Sequence, residues 1–315
     1  MSDCPARIKV GFIVGPTGSG KTSLAITIAE RLGAEIVNAD SRQLYVGMDI
    51  GTAKPSAEER ARVPHHLIDV RAPDQPLDVA EFVSMARAGI VDIARRGRRV
   101  LVVGGSGFYL RALRGGIFEG PAASEDLRHE LEEIATARGI PFLHDELMKV
   151  DAPSAMRIQR NDLYRIVRAL EVYRITGIPI SVHQQRHAFA QREFDAMTIA
   201  LEVPRAQLYN AINARFDAMI ADGFVAEVRE LLARGYSPER PPLSTIGYRE
   251  VAAFVRGEMT LEAAIELAKR KTRQFAKRQL TWFRHEPEVT WVDASHCAEQ
   301  AQMLFEGFFS SATAH

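Results

Sequence analysis

The chain has 315 residues, 46% of them apolar, which is enough to bury one large core or two smaller ones. Its 40 Lys and Arg balance 40 Asp and Glu, so no global charge announces a nucleic-acid partner and any basic surface must be local. Cys4 and Cys297 lack metal-ligand spacing and the apolar run Ile8–Val14 is too short to span a bilayer, so no disulfide framework, zinc site or membrane is expected, only a soluble cytoplasmic protein.

Ile8–Val14 reads as a strand, and it leads into Gly15-Pro16-Thr17-Gly18-Ser19-Gly20-Lys21-Thr22, a P-loop. A helical pattern over 21–32, with Leu24, Ile28 and Leu32 on one face, completes the strand–loop–helix context that the motif requires. Backbone N–H groups at a helix N-terminus favour an anion; Lys21 adds a point charge, and the Thr22 hydroxyl is the candidate ligand for Mg²⁺. A ligand carrying at least two linked phosphates is expected here.

A short strand over 35–39 places Asp40 at the same sheet edge. Asp40 has two candidate roles, outer Mg²⁺ ligand or general base toward an incoming nucleophile, and a bland one, capping a turn through Ser41. A helix over 78–96 and a strand over 100–103 follow. This alternation predicts an α/β fold, a P-loop NTPase-like core with a parallel sheet flanked by helices. The strand ends in Gly104-Gly105-Ser106-Gly107 instead of a carboxylate, which brings a hydroxyl to the sheet edge but no second acid for nucleotide hydrolysis.

From about 124 to 176 the pattern is helical throughout, stopped by Gly177-Ile178-Pro179. An all-helical insertion over 119–195 is therefore expected within a core made of 1–118 and 196–315, the strand 197–203 returning to the sheet. Helices over 205–234 and 260–284 complete the chain. The last carries Lys269, Arg270, Lys271, Arg273, Lys277, Arg278 and Arg284 without an intervening acid, with Gln274, Gln279 and Trp282 interleaved and Phe275 and Leu280 expected to face the core. Such a stripe suits a nucleic-acid backbone; a solvated helix face is the alternative. Arg165 and Arg168 share a helix face that either meets RNA or pairs with Asp162 and Glu171.

Further motifs are Asp40-Ser41-Arg42-Gln43-Leu44-Tyr45, Gly51-Thr52-Ala53-Lys54-Pro55, His65-His66-Leu67-Ile68-Asp69, Arg168-Ala169-Leu170-Glu171-Val172-Tyr173 and Ile246-Gly247-Tyr248-Arg249-Glu250. With the P-loop and the basic block from Thr272 to Arg284 they resemble, in order from about 10 to 292, the tRNA dimethylallyltransferases (tRNA isopentenyltransferases) of bacterial type. The resemblance implies transfer of a dimethylallyl group from dimethylallyl diphosphate to N6 of an adenosine beside the anticodon, with Mg²⁺ as cofactor. Asp40 is then the general base, the P-loop and Arg215 hold the diphosphate, and Ser106 stands where the family usually has Thr. It further implies contacts with the tRNA anticodon stem-loop from Asp40, Ser41, Arg42, Gln43, Ser106, Tyr164, Arg165, Arg168, Gly247, Tyr248, Arg249, Lys277, Arg278, Gln279, Trp282 and Arg284. A monomer is expected. The chain departs from the family pattern at Gln159-Arg160, usually His-Pro, and at Tyr164, usually Gln.

Three other readings use the same residues. Prenylation of free adenine nucleotides needs neither the insertion nor the basic helix, and both are present. A P-loop small-molecule kinase would use Asp40 as base or metal ligand and leaves 269–284 unexplained. A non-catalytic RNA-binding protein does not need Lys21 and Thr22 intact.

Overall fold

The computed structural model describes residues 7–116, 120–121, 124–187, 193–294 and 297–311; the expected 118/119 junction and Cys4 lie outside them. The chain divides into two compact units, Met1–Arg114 with Glu193–His315, and Gly115–Arg192.

The first unit is built on a six-stranded sheet. Its strands are β1 (Ile8–Val14), β2 (Ala34–Asn38), β3 (His65–His66), β4 (Arg99–Gly104), β5 (Phe194–Glu202) and β6 (Val289–Asp293), in the order β3-β2-β4-β1-β5-β6. Every pairing is parallel, which requires crossovers and buries both faces, hence the nearly unbroken apolar runs of β1 and β4. Register sets Val14 beside Gly104 and Asn38 beside Val103, so the C-terminal ends of β1, β2 and β4 finish together, where open α/β sheets bind ligands. The α/β class read from the sequence holds.

Helices α1 (Lys21–Leu32), α2 (Ala57–Arg62), α3 (Val79–Arg95) and α4 (Gly107–Gly115) follow the early strands. In α3, Asp78 caps the N-terminus in a reciprocal box with Glu81, and Phe82, Val83, Ala86, Ile90 and Ile93 form the buried stripe that the periodicity predicts. Full burial of each large side chain in that stripe contributes roughly 1.5–3 kcal/mol.

In the second unit the helical stretch is punctuated into α5 (Glu125–Arg138), α6 (Ile140–Val150), α7 (Ala152–Arg157), α8 (Leu163–Thr176) and α9 (Ile180–His187). Gly139 and Asp151 end helices that the apolar pattern alone runs together, while Gly177, in the left-handed region at φ 71°, terminates α8. Leu131, Leu143, Leu147, Ile166 and Leu170 make this unit's own core.

Beyond β5 the expected single helix over 205–234 is two, α10 (Arg205–Ala221) and α11 (Phe224–Ala233), because Gly223 at φ 101° breaks the spiral. The strand itself starts at Phe194, three residues before the expected Met197. Next come α12 (Tyr248–Val255), α13 (Leu261–Arg284) and α14 (Cys297–Ser310). Strand β6 and α14 had no expectation from the sequence. A Cβ on Gly11 would meet Leu101 and Phe305 at 2.7 Å, so glycine in β1 is what lets α14 lie against the sheet.

Candidate active site

The P-loop wraps into α1 with Gly18 and Gly20 in the left-handed region, at φ 83° and 85°. Gly15 and Pro16 are buried, Thr17, Gly18, Lys21 and Thr22 are half-buried, and the Ser19 hydroxyl is buried without a hydrogen-bond partner among the described residues. Arg215 reaches in from α10 and donates to the Thr17 hydroxyl. Lys21 donates to the Pro16 carbonyl at 3.4 Å. Burial pulls Lys21 down from its ordinary 10.5 to about 8; Asp40 opposes this and Arg215 adds to it. Burial lowers Arg215 too, again against the pull of Asp40. Among the described residues neither cation forms an ion pair.

Asp40 follows β2 directly. Ala39 N–H extends the ladder to the Val103 carbonyl at 2.7 Å, and a Cβ on Gly104 would strike the Ala39 carbonyl oxygen at 2.3 Å, so only glycine allows this approach. Arg42 N–H donates to Asp40 Oδ1 at 2.9 Å and Asp40 N–H to Asn38 Oδ1 at 3.1 Å. Asp40 therefore caps its turn through the Arg42 N–H and not through Ser41, and this engages one carboxylate oxygen. Ser106 Oγ accepts the neighbouring Ser41 N–H at 3.2 Å, which ties the β4–α4 turn to the Asp40 turn.

Lys21, Thr22, Asp40 and Arg215 line one cavity of about 430 Å³. Among the described residues no three His, Cys, Asp or Glu side chains cluster as a metal cage. The Thr22 hydroxyl and Asp40 carboxylate are hard oxygen donors in this shared space, a set that fits a Mg²⁺ ion held mainly by water and phosphate oxygens.

The opposite contribution to the cavity comes from a loop whose supports have no signal in the sequence. Glu227 on α11 accepts three consecutive backbone N–H groups, from Asp49, Ile50 and Gly51, at 3.0, 2.6 and 3.2 Å, and the Tyr248 hydroxyl at 2.6 Å. Lys54 pairs with Asp49 and Asp69, and Gln43 donates to the carbonyls of Thr52 and Ala53 at 3.2 and 3.0 Å. Ala53, Leu67 and Asp69 hold φ of 51°, 60° and 57°, conformations costing about 1–3 kcal/mol each, and this mesh is what keeps them there. Nothing local in the sequence links residue 227 to 49–51, so the motif at 51–55 is legible but its anchor is not.

Several residues expected on tRNA turn inward. Tyr248 is 1% exposed, packed edge-on against Phe224 with its ring centroids 4.9 Å apart, and Gly247 is buried beside it, its N–H bound to Glu250 at 2.7 Å. Gln279, 7% exposed, accepts from Thr17 N–H and donates to the Gly105 carbonyl, both at 2.9 Å. Gln43 is likewise buried. Gly247, Tyr248 and Gln279 thus spend their polar groups inside the protein, while Gln43 lines the cavity. Trp282 is half-buried against Gly107, where a Cβ would sit 2.3 Å from its Nε1, and lies under the Arg111 guanidinium at 4.4 Å.

The basic stripe divides along α13. Lys269 pairs with Asp217, Lys271 with Glu250, and Arg273 donates to Asn213, so its first half joins the helix to α10 and α12. Lys277, Arg278 and Arg284 are exposed and form no ion pair among the described residues. Phe275, expected in the core, is 38% exposed with Arg278 over its ring; Ala276, Gln279 and Phe283 take the buried positions. Ser41 and Arg42 are half-buried and Arg249 is exposed, 3.5 Å from Glu250. In the helical unit Tyr164 is 77% exposed, Arg165 pairs with Asp162, and Arg168 is committed to Glu171 and the Pro121 carbonyl, the ion-pair alternative.

The geometry joins a P-loop, the Asp40 carboxylate and a basic helix. The IPP transferase family model matches residues 43–286. A tRNA dimethylallyltransferase of Geotalea uraniireducens is 49% identical over 93% of this chain and 94% of its own, and one of Desulfosudis oleivorans is 46% identical over 97% of both. Among solved structures, the full-length tRNA isopentenylpyrophosphate transferase of Bacillus halodurans is 39% identical with a TM-score of 0.71, covering 95% of this chain and 96% of that one. A eukaryotic dimethylallyltransferase captured acting on tRNA is 27% identical with a TM-score of 0.82, over 96% of this chain and 80% of its own. On this likeness, which runs nearly from end to end, the chain belongs to the IPP transferase family.

Proposed function

We propose that this enzyme transfers a dimethylallyl group from dimethylallyl diphosphate to N6 of an adenosine adjacent to the anticodon in tRNA, releasing diphosphate. The observation that carries the reading is two desolvated cations, Lys21 and Arg215, without an anionic partner in ion-pair contact, in one cavity with the Asp40 carboxylate. A phosphoryl-transfer site would need the nucleophile to meet phosphorus; here the diphosphate is the leaving group, so the cradle and one base suffice.

The adenine amine is a poor nucleophile because its lone pair is delocalised into the ring. As N6 forms its bond to the allylic carbon, the C–O bond to the diphosphate breaks and the electron pair leaves with that oxygen. Asp40 accepts the N6 proton, its second oxygen being free of the Arg42 N–H that holds the first. Lys21, Arg215 and the loop amides offset the charge growing on the departing diphosphate. Mg²⁺, with Thr22 and Asp40 as its candidate oxygen donors, would supply further neutralisation of the phosphates. Ser106 keeps the Asp40 turn in place through Ser41. Lys277, Arg278, Arg284 and Arg249 are the candidate contacts for the RNA backbone, with Tyr164 a stacking candidate on the helical unit. The target base must leave its stack to reach Asp40.

The test is mass spectrometry of nucleosides after incubating the protein with unmodified tRNA, Mg²⁺ and dimethylallyl diphosphate, with AMP as a parallel acceptor. A prenyl group on a tRNA adenosine with AMP untouched is the expected result. Prenylated AMP alone would move the activity to free nucleotides, and ATP consumption without prenylation would move it to the kinases.

A further inference from the structure

Gln279 sits on α13 between Arg278, which faces solvent, and the catalytic cavity, and both ends of its amide are used. Oε1 takes the Thr17 N–H of the P-loop and Nε2 gives to the Gly105 carbonyl of the β4–α4 turn, each at 2.9 Å. Each of those partners leads directly to a candidate catalytic group. Thr17 receives Arg215 on its hydroxyl. Gly105 precedes Ser106, whose hydroxyl holds Ser41 N–H next to Asp40. The approach is close enough that a Cβ on Gly105 would lie 2.5 Å from Gln279 Nε2, so the turn is shaped around this amide. The helix has no slack here: Ala276 packs on Leu208 and Ile212 of α10, the helix carrying Arg215, and Gln279 is 7% exposed.

We propose that Gln279 is a positioning residue, the amide through which the RNA-facing helix sets the spacing between the diphosphate cradle and the Ser106–Asp40 turn. This rests on the diphosphate reading of the cavity and adds to it a residue that touches neither substrate. Without the amide, the Thr17 N–H and the Gly105 carbonyl lose their shared partner. The P-loop tip and the turn can then move apart, although every group that touches substrate is still present. A direct RNA contact at the same position would behave differently, since its removal weakens tRNA and leaves the cradle alone.

The test compares wild type with Gln279→Met, which keeps length and volume but neither hydrogen bond, and with Gln279→Ala, which leaves room for water. Binding of inorganic diphosphate with Mg²⁺ is measured by calorimetry without RNA, binding of an anticodon stem-loop is measured separately, and thermal melting checks folding. The expected result is diphosphate affinity about tenfold weaker in the Met variant, the scale of losing buried hydrogen bonds, and stem-loop affinity within about twofold of wild type. With saturating tRNA, the KM for dimethylallyl diphosphate should rise and kcat should fall as well. Weaker stem-loop binding with diphosphate affinity intact would overturn the proposal in favour of an RNA contact. Unchanged binding of both, in either folded variant, would reduce Gln279 to packing. Should wild type bind diphosphate yet prenylate no tRNA, the functional reading fails while the Gln279 comparison still stands on its own binding data.

Discussion

In the helical unit Glu171 is fully buried, and its carboxylate accepts from Arg128, from Arg168 and from the Ser124 N–H. Burial alone would raise that carboxyl; the hydrogen bonds from Arg128 and Arg168 outweigh it and hold Glu171 below its ordinary value. At the P-loop the arrangement is reversed. Lys21 and Arg215 are half-buried by exposure yet desolvated, each is lowered by that desolvation, and they repel one another with only Asp40 in opposition. Charge buried with its partners is architecture. Charge of one sign buried without them costs stability in the free protein and is relieved when an anion arrives, which is how a ligand site differs from a core ion pair.

The largest expected effect isolates the acid that opposes those two cations. Asp40→Ala should lower kcat by roughly 10²–10⁴ while tRNA affinity, read by filter binding, stays within a few fold. An equal loss of affinity would make Asp40 an RNA-positioning group and remove the base from the mechanism.

Next comes the comparison itself. Glu171→Ala should cost on the order of 3 kcal/mol in a denaturant melt, because it strands two arginines, with diphosphate binding unchanged. Lys21→Met should do the opposite, abolishing diphosphate binding while leaving the melt unchanged or shifted upward, since it removes an unpaired buried charge. Similar stability losses in both would erase the distinction drawn between the two regions.

On α13, replacing Lys277 and Arg278 together by Ala should weaken tRNA binding and reduce the salt slope of its affinity by about 2. No change in slope would leave that face merely solvated. For pH, Lys21 is charged below about 8 and neutral above it. Dimethylallyl diphosphate affinity should therefore fall as pH rises through 8, by up to about tenfold per unit, when binding is read by calorimetry across that range. The free protein's stability should rise with pH from about 8 toward 10.5, where only the unfolded lysine still holds its proton. The smallest effect belongs to Tyr248→Phe: about 1 kcal/mol lost in a melt, from the Glu227 hydrogen bond, with tRNA affinity unaltered.

Local pattern was enough for much of this molecule. The strand–P-loop–helix run from Ile8 to Leu32, the amphipathic stripe of α3 and the parallel-sheet class follow from spacing and apolar runs, because their causes lie within a few residues of one another. Asp40 at a strand end was legible for the same reason. The breaks inside long helical stretches were not, since Gly139 and Gly223 look from sequence like tolerated glycines within a continuing pattern.

What only the tertiary structure decided is which side of a motif residue faces what. The family resemblance makes Tyr248 and Gln279 RNA contacts, yet one hydrogen-bonds Glu227 and the other the P-loop 262 residues away. Likewise the seven cations of α13 are alike in the sequence, and only their neighbours on α10 and α12 separate those that hold the fold from those left facing solvent. The chain by itself determined the elements and the chemical inventory, because propensity and periodicity are local. Pairing, burial and the sharing of one cavity by Lys21, Asp40 and Arg215 are non-local, and they exist only once the sheet has brought distant segments to one edge.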